Sequence, residues 1–300
     1  MIDACSLSIL VARTDVRFMR WTIPHLVCTC RFPFRRRVLV VDTAPLGPAY
    51  QDRPGVGSMA ELREACDALI ADGVVDEAVD IDYSEQTRER LYQKHFSRPV
   101  KHTHNFRGYP ILGSMFAIES AAADSVVHFD SDMLLYQAPG FDWIREGLAL
   151  MKRFPEIASV LPLSGPPTTD GRLTQAIEDG ETYVHDPRGF YKFNTFTSRV
   201  FLINRRRFDS LLPLDPPGAQ AELLTGESRL PPWEDMVGAR LLATSHLRVD
   251  LDSHDAFTLH PQDHGPAFVA ALPSLIPRIE RGDVPPGQGG YYDLRPELWC

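Results

Sequence analysis

Two carboxylates at the end of an apolar strand constrain this chain more than any other feature. Residues 126–136 read Val-Val-His-Phe-Asp-Ser-Asp-Met-Leu-Leu-Tyr. The short Val/Phe run has the length and composition of a buried strand, and it breaks at Asp130 and Asp132 before apolar sequence resumes. Burying unpaired charge is unfavourable, so the pair needs a partner, and a divalent cation is the simplest one. Aspartates at this spacing suit a hard ion such as Mg²⁺ or Mn²⁺, which in turn binds diphosphate oxygens. Asp132 and Asp130 are therefore candidate metal ligands, and Asp130 and Ser131 are candidate contacts of the ligand whose diphosphate the ion would hold.

The flanking sequence predicts an α/β frame. Leu7–Ala12 (LSILVA) is nearly all apolar, as expected for a central parallel strand. Val16–Cys28 reads as a helix that must accommodate Pro24, and Arg37–Asp42 (RVLVVD) as a second buried strand ending on an acid. Strand, helix and strand begin a doubly wound sheet, whose ligands sit beyond the carboxyl ends of the strands. Asp15 and Asp42 fall at that edge. Asp42 reads either as an acceptor for a nucleobase N–H or as a turn aspartate.

The 300 residues suit one large α/β domain or two small ones. A net charge of −9 argues against a nucleic-acid backbone as the main partner. No apolar run approaches the ~20 residues of a membrane span, and no cationic start leads into an apolar stretch. The reading is a soluble, cytoplasmic protein with no membrane span. Its five cysteines are expected to be reduced, and Cys28-x-Cys30 reads as structural thiols rather than a zinc site.

Other motifs have plainer explanations. Gly55-x-Gly57-x-x-Ala60 imitates a dinucleotide fingerprint, but polar Tyr50–Pro54 precedes it where a strand is required. Ser58-x-x-Glu61 within it is a capping box opening a helix at Met59–Ala71. Asp80-x-Asp82, in a strand predicted over Val74–Tyr83, and Asp250-x-Asp252, in Leu247–Asp252, read as polar faces of half-exposed strands. Ser84–His95 reads as a solvated helix. The basic loop Lys101–Pro110 follows, with Lys101 and Arg107 as candidates for meeting phosphates; His102-x-His104 lacks an obvious third ligand. Gly113–Ala123 is then an apolar helix beside the strand that delivers Asp130.

A βαβ half closed by Asp130-Ser131-Asp132 resembles the nucleotide-sugar half of GT-A fold glycosyltransferases, where the D-x-D motif binds Mn²⁺ or Mg²⁺ under the donor diphosphate. The second half carries the resemblance further. Ser198–Asn204 is a predicted strand ahead of Arg205-Arg206-Arg207, and Pro231-Pro232-Trp233-Glu234-Asp235 precedes the helical run Met236–Ala243. This is similar to the Glu-Asp motif of inverting, family 2-like members, whose Asp is the catalytic base. His260-Pro261 follows a predicted strand, where many GT-A enzymes supply a third metal ligand; His264 is the alternative. The resemblance covers about residues 7–265. It departs at Asp42-Thr43-Ala44-Pro45, where the family usually has Asp-Asp-Gly-Ser, and the Q-x-x-R-W signature of processive synthases is absent.

The resemblance implies a single α/β domain of GT-A type. Its Rossmann-like nucleotide-sugar half (1–135), with a mixed central sheet, is fused to an acceptor-binding half (136–265). A Pro/Gly-rich tail (266–300) is expected to wrap the surface, docked by Tyr291, Tyr292 and Trp299. The segments Leu163–Gly171 and Pro213–Pro232 are expected to be walls over the acceptor. The implied donor is a nucleoside-diphosphate sugar, a UDP-sugar by preference, with GDP or dTDP as alternatives; the acceptor is unspecified.

Chemically, charge developing on a departing diphosphate calls for a Lewis acid and fixed cations such as Lys101 and Arg107. The acceptor hydroxyl needs a base, for which Asp235 is the candidate, within about 2.6–3.2 Å of it. Glu234 and Trp233 would hold the acceptor. Acids ahead of an apolar helix are also ordinary helix starts. A retaining transferase, a nucleotidyltransferase using the same metal–diphosphate site, and a non-catalytic binding module are the other readings.

Overall fold

The computed structural model describes residues 4–51, 53, 55–105, 108, 110–214 and 231–299. Four parallel strands, β1 (Cys5–Val11), β2 (Arg36–Val41), β3 (Glu77–Asp80) and β4 (Ser125–Asp130), lie in the order β3-β2-β1-β4. Leu7, Ile9, Val127 and Phe129 are essentially without exposed surface, and each such side chain stabilises the fold by roughly 1.5–3 kcal/mol. Helices α1 (Met19–Cys30), α2 (Pro48–Gln51), α3 (Met59–Ala71), α4 (Glu85–Phe96) and α5 (Leu112–Glu119) connect these strands.

Local chemistry accounts for several boundaries. The capping box opens α3, the Glu61 N–H donating to Ser58 Oγ at 3.1 Å and the Ser58 N–H to Glu61 Oε2 at 2.7 Å. α4 is not the solvated helix expected: it buries Leu91, Tyr92, His95 and Phe96. β3 is shorter than the predicted Val74–Tyr83. Its Asp80 takes both Arg63 Nη groups at 2.5 Å, while Asp82 accepts from Ser84 and Thr87 at the start of α4. Both aspartates serve the scaffold.

The second half contains β5 (Leu134–Gln137), α6 (Trp143–Arg153), β6 (Ile157–Leu161), β7 (Leu163–Ser164), α7 (Thr174–Glu178), β8 (Tyr183–Asp186), β9 (Phe190–Phe193), β10 (Val200–Asn204), α8 (Arg205–Asp209), α9 (Trp233–Leu242), β11 (Leu247–Leu251), β12 (Ala256–Leu259) and α10 (Pro266–Glu280). The large sheet continues past β4 as β10-β6-β11-β9-β8, giving nine strands of mixed direction. β10 runs antiparallel to both β4 and β6. A small sheet, β5-β12-β7, packs beside it.

Two expectations are overturned here. β11 is interior rather than half-exposed: Asp250 is fully buried, and its Oδ1 lies 2.9 Å from Arg248 Nη2, itself 2% exposed. The charges alternate along this strand because they pair with each other, not because one face meets water. The tail is not merely a surface wrap either. Pro266–Glu280 is a helix that buries Phe268, Leu272, Leu275 and Ile279 in a second apolar cluster with Phe18, Leu134, Leu259 and Trp299. Pro273 and Pro277 are tolerated because both lie on its exposed face, where carbonyls that lose an N–H partner meet water.

α10 is pinned to the first half through His25, buried in α1. Its Nδ1 lies 2.9 Å from Glu280 Oε1, and its Nε2 accepts the Leu135 N–H at 3.1 Å. Beyond α10 the chain returns to β12: the His260 N–H donates to the Tyr292 carbonyl and the Leu294 N–H to the His260 carbonyl, each at 2.8 Å. This parallel bridge lays Asp293 against His260. Among the described residues no helix is long and apolar enough to cross a membrane.

Candidate functional site

Strand order locates the site. β2 and β3 extend the sheet to one side of β1 and β4 lies on the other, so the order reverses between β1 and β4. In doubly wound sheets the crevice beyond the carboxyl ends of the strands at such a point is where ligands bind. Asp15 follows β1 and Asp130-Ser131-Asp132 ends β4, so the carboxylates singled out from the sequence stand at this crevice. Ser131 bridges it, donating from Oγ to Asp15 Oδ2 at 2.8 Å. Asp15 also accepts from the Ala12 N–H at 2.8 Å and from Thr14 Oγ1 at 2.5 Å. Burial pushes the Asp15 carboxyl up to about 6, against these hydrogen bonds and helped by the charge of Asp132. Asp15 and Ser131 thus hold the crevice together. Ser131, expected to face the nucleotide, is instead buried with its hydroxyl committed.

Asp132 is the centre of the site. Its Oδ2 lies 2.9 Å from His264 Nε2 and 3.7 Å from His260 Nε2, while its Oδ1 is buried without a hydrogen-bond partner. Burial opposes its charge, yet the hydrogen bond from His264 and the positive potential of His260 and Arg199 hold the carboxyl below its ordinary range. Each imidazole is itself positioned. His264 stacks on Phe18, with ring centroids 5.2 Å apart, and meets the edge of Phe268. His260 Nδ1 faces Asp293 Oδ1 at 3.2 Å, and that carboxylate also takes amide N–H groups of Gln175 and Gln262 at 2.5 Å each. Of the two histidines weighed from the sequence, both converge on Asp132. Asp130 does not join them: its nearest ion-pair partner is His128, at 3.5 Å. No three His, Cys, Asp or Glu side chains among the described residues stand ready-made as a metal cage, and the Asp132–His264 hydrogen bond would have to open for both to ligate one ion.

Asp42 stands at the end of β2, where its Oδ1 accepts from Tyr83 OH at 2.7 Å and from the Ala44 N–H at 2.8 Å. His104 Nε2 lies 3.4 Å from Oδ2. Burial raises its carboxyl, but the hydrogen bonds from His104 and Tyr83 outweigh this and hold it low. The turn-aspartate role is thus filled. Lys101 is exposed on the loop that carries His104. Arg107 lies outside the described residues, as does the 215–230 part of the expected acceptor wall.

The Glu-Asp pair starts α9 beside the end of β4. Asp130 donates its N–H to the Arg199 carbonyl at 2.7 Å, and the neighbouring Ser198 donates its N–H and Oγ to Glu234 Oε2 at 3.2 and 2.8 Å. Glu234 therefore anchors the helix to the strand that borders the site, and the next residue, Asp235, is exposed. The acceptor-stacking role expected for Trp233 does not hold. The indole is 3% exposed and wedged among Phe196, Phe201 and Phe208, so it presents no face to a ligand.

Three features of the site escape sequence reading. Arg199 reaches it only because β10 pairs with β4, a long-range pairing with no local signal. Asp293 lies in a segment whose composition suggests a surface coil. The Arg248–Asp250 pair does have a signal, since opposite charges two apart on a strand share a face. Comparison with known protein families and with curated proteins finds no match to this chain.

Proposed function

We propose that this chain is a metal-dependent glycosyltransferase that moves a sugar from a nucleoside-diphosphate sugar to an acceptor hydroxyl with inversion. The observation that supports it best is the setting of Asp132. It stands at the switch point of a parallel sheet, with one buried oxygen unpartnered and two imidazoles directed at the other.

One carboxylate and two imidazoles are donors that suit a divalent ion once the Asp132–His264 hydrogen bond opens. Asp132, His260 and His264 would hold Mn²⁺ or Mg²⁺, and the two imidazoles favour Mn²⁺, since Mg²⁺ prefers oxygen ligands. Bound there, the ion supplies Lewis-acid stabilisation to the departing diphosphate. The chain's own residues do the rest. Asp235 takes the proton of the acceptor hydroxyl as its oxygen bonds to the anomeric carbon. The carbon–oxygen bond to the diphosphate breaks, and its electron pair leaves with the diphosphate. Glu234 holds the start of α9 against Ser198, ahead of β10, and Asp235 is the exposed residue that follows it. Lys101 remains a candidate for meeting phosphate, and a UDP-sugar is the favoured donor.

The test is thermal unfolding with UDP, GDP and dTDP, each with and without Mn²⁺, on wild type and Asp132→Ala. A ligand at about 100 times its dissociation constant adds roughly 2.7 kcal/mol of stability. The expected result is a shift for one nucleotide that requires both Mn²⁺ and Asp132; a shift indifferent to both would remove the metal from this reading. Asp235→Asn is expected to keep the nucleotide-dependent shift and lose transfer, and full turnover in that variant would remove the base.

A further inference from the structure

Beside Asp132, between the two sheets, lies a cavity of about 70 Å³ whose walls include Arg199, Arg248, Thr197, Glu181, His260 and Tyr292. Its volume decides what enters. About 10–15 Å³ of such space is enough for one water, so this one admits a small polar group of a ligand. Its charge decides the sign. The Arg199 side chain, half-buried, makes no direct hydrogen bond or ion pair with any described residue and acts on Asp132 only through its field, although a guanidinium withdrawn from water favours an anionic partner. Arg248 is 2% exposed and its Nε is buried without a partner, while Asp250, Thr195 and the cavity-lining Ser164 engage its other nitrogens. Glu181 is the one acidic side chain among the described lining residues, and its Oε1 accepts from Thr195 Oγ1 at 3.3 Å.

We propose that this cavity receives a carboxylate carried by the sugar-bearing ligand, so that the site selects an acidic sugar over its neutral counterpart. Arg199, which no described residue engages by a direct ion pair, supplies the charge, and the Thr197 hydroxyl, next but one to it, supplies a hydrogen bond. The planar carboxylate matches a guanidinium fork, and its size matches the cavity. The rest of the ligand then lies toward His260 and Asp132. The choice of a sugar acid rests on the glycosyl-transfer reading; the affinity for a carboxylate does not.

Calorimetric titration tests it on wild type, Arg199→Gln and Thr197→Val. One arm compares UDP-glucuronate with UDP-glucose in the presence of Mn²⁺, reading a carboxylate on the donor. The other compares free glucuronate with free glucose, with and without saturating UDP and Mn²⁺, reading a carboxylate on the acceptor. The expected result is at least tenfold tighter binding of the acid in one arm, with the gap closed in Arg199→Gln and narrowed in Thr197→Val. Equal affinities for acid and neutral sugar in both arms, no binding of either acid, or a gap that survives Arg199→Gln would overturn the proposal. If free glucuronate is selected through Arg199 while UDP with Mn²⁺ fails to bind, the cavity assignment stands and the transferase reading alone falls.

Discussion

Asp293 shows how much a single carboxylate arranges. It accepts from Gln175, Gln262 and His260 together, which fixes the imidazole with its Nε2 toward Asp132. Histidines that ligate metals are commonly oriented in this way, and losing the partner typically lowers metal affinity about 10–100-fold. Asp293→Asn keeps the volume and removes the charge. It is expected to weaken Mn²⁺ binding by that factor in calorimetric titration, and an unchanged affinity would show that the backbone bridge alone positions His260. A second carboxylate, Glu119, acts on stability. It is 8% exposed and meets Lys94 at 2.7 Å, His95 at 3.0 Å and Arg205 at 3.4 Å. Burial raises its carboxyl, but the hydrogen bonds from His95 and Lys94 win and bring it down to about 2. Because the folded value lies below the unfolded one, near ~4.3, its contribution is complete above that pH and disappears as pH falls toward 2. The difference amounts to roughly 3 kcal/mol. Glu119→Gln is therefore expected to be destabilised at neutral pH in chemical unfolding, with the gap to wild type closing between about pH 4.3 and 2.

At the scale of elements, the site depends on how the segment after α10 is seated. Gly165, just past β7, has φ +83°, and a Cβ there would stand 2.7 Å from the Tyr291 carbonyl and the Tyr292 nitrogen. Gly165→Ala meets both a backbone conformation that side chains disfavour, at about 1–3 kcal/mol, and a clash that lifts the segment carrying Asp293. It is expected to lower the melting temperature and also to weaken Mn²⁺ binding. Gly180 supplies the control: its φ is +75°, and a Cβ there would meet nothing within 4 Å. Gly180→Ala should lose stability without losing metal affinity; equal metal losses in the two variants would sink the seating argument.

For the molecule as a whole, the first half is legible in the sequence because its signals are local. Apolar runs locate β1, β2 and β4, and the capping box locates α3 with both ends in place. The strand-end carboxylates and both candidate histidines are visible for the same reason. What stays hidden depends on pairing across the chain. β10 inserts between β4 and β6, bringing Arg199 to the crevice, and nothing near Arg199 announces that neighbour. Alternation in Leu247–Asp252 suggests a wet face, whereas Arg248 and Asp250 neutralise each other inside the sheet. Prolines suggest that the tail lacks a helix, yet Pro266 sits in the first turn of α10, where a missing N–H is harmless, and the other two face water. The acceptor role of Trp233 rests on analogy of position alone, and the packing of three phenylalanines overrides it.

The bridge between His260 and Asp293 also sets an order of events during synthesis. The last strand of the nine-stranded sheet ends at Leu251, and Asp293 follows about forty residues later. Ribosomes add about 5–20 residues per second, so the last of these strands is polymerised roughly 2–8 s before the partner of His260 exists. During that interval a nascent chain holds every strand of the nine-stranded sheet and an unfinished site.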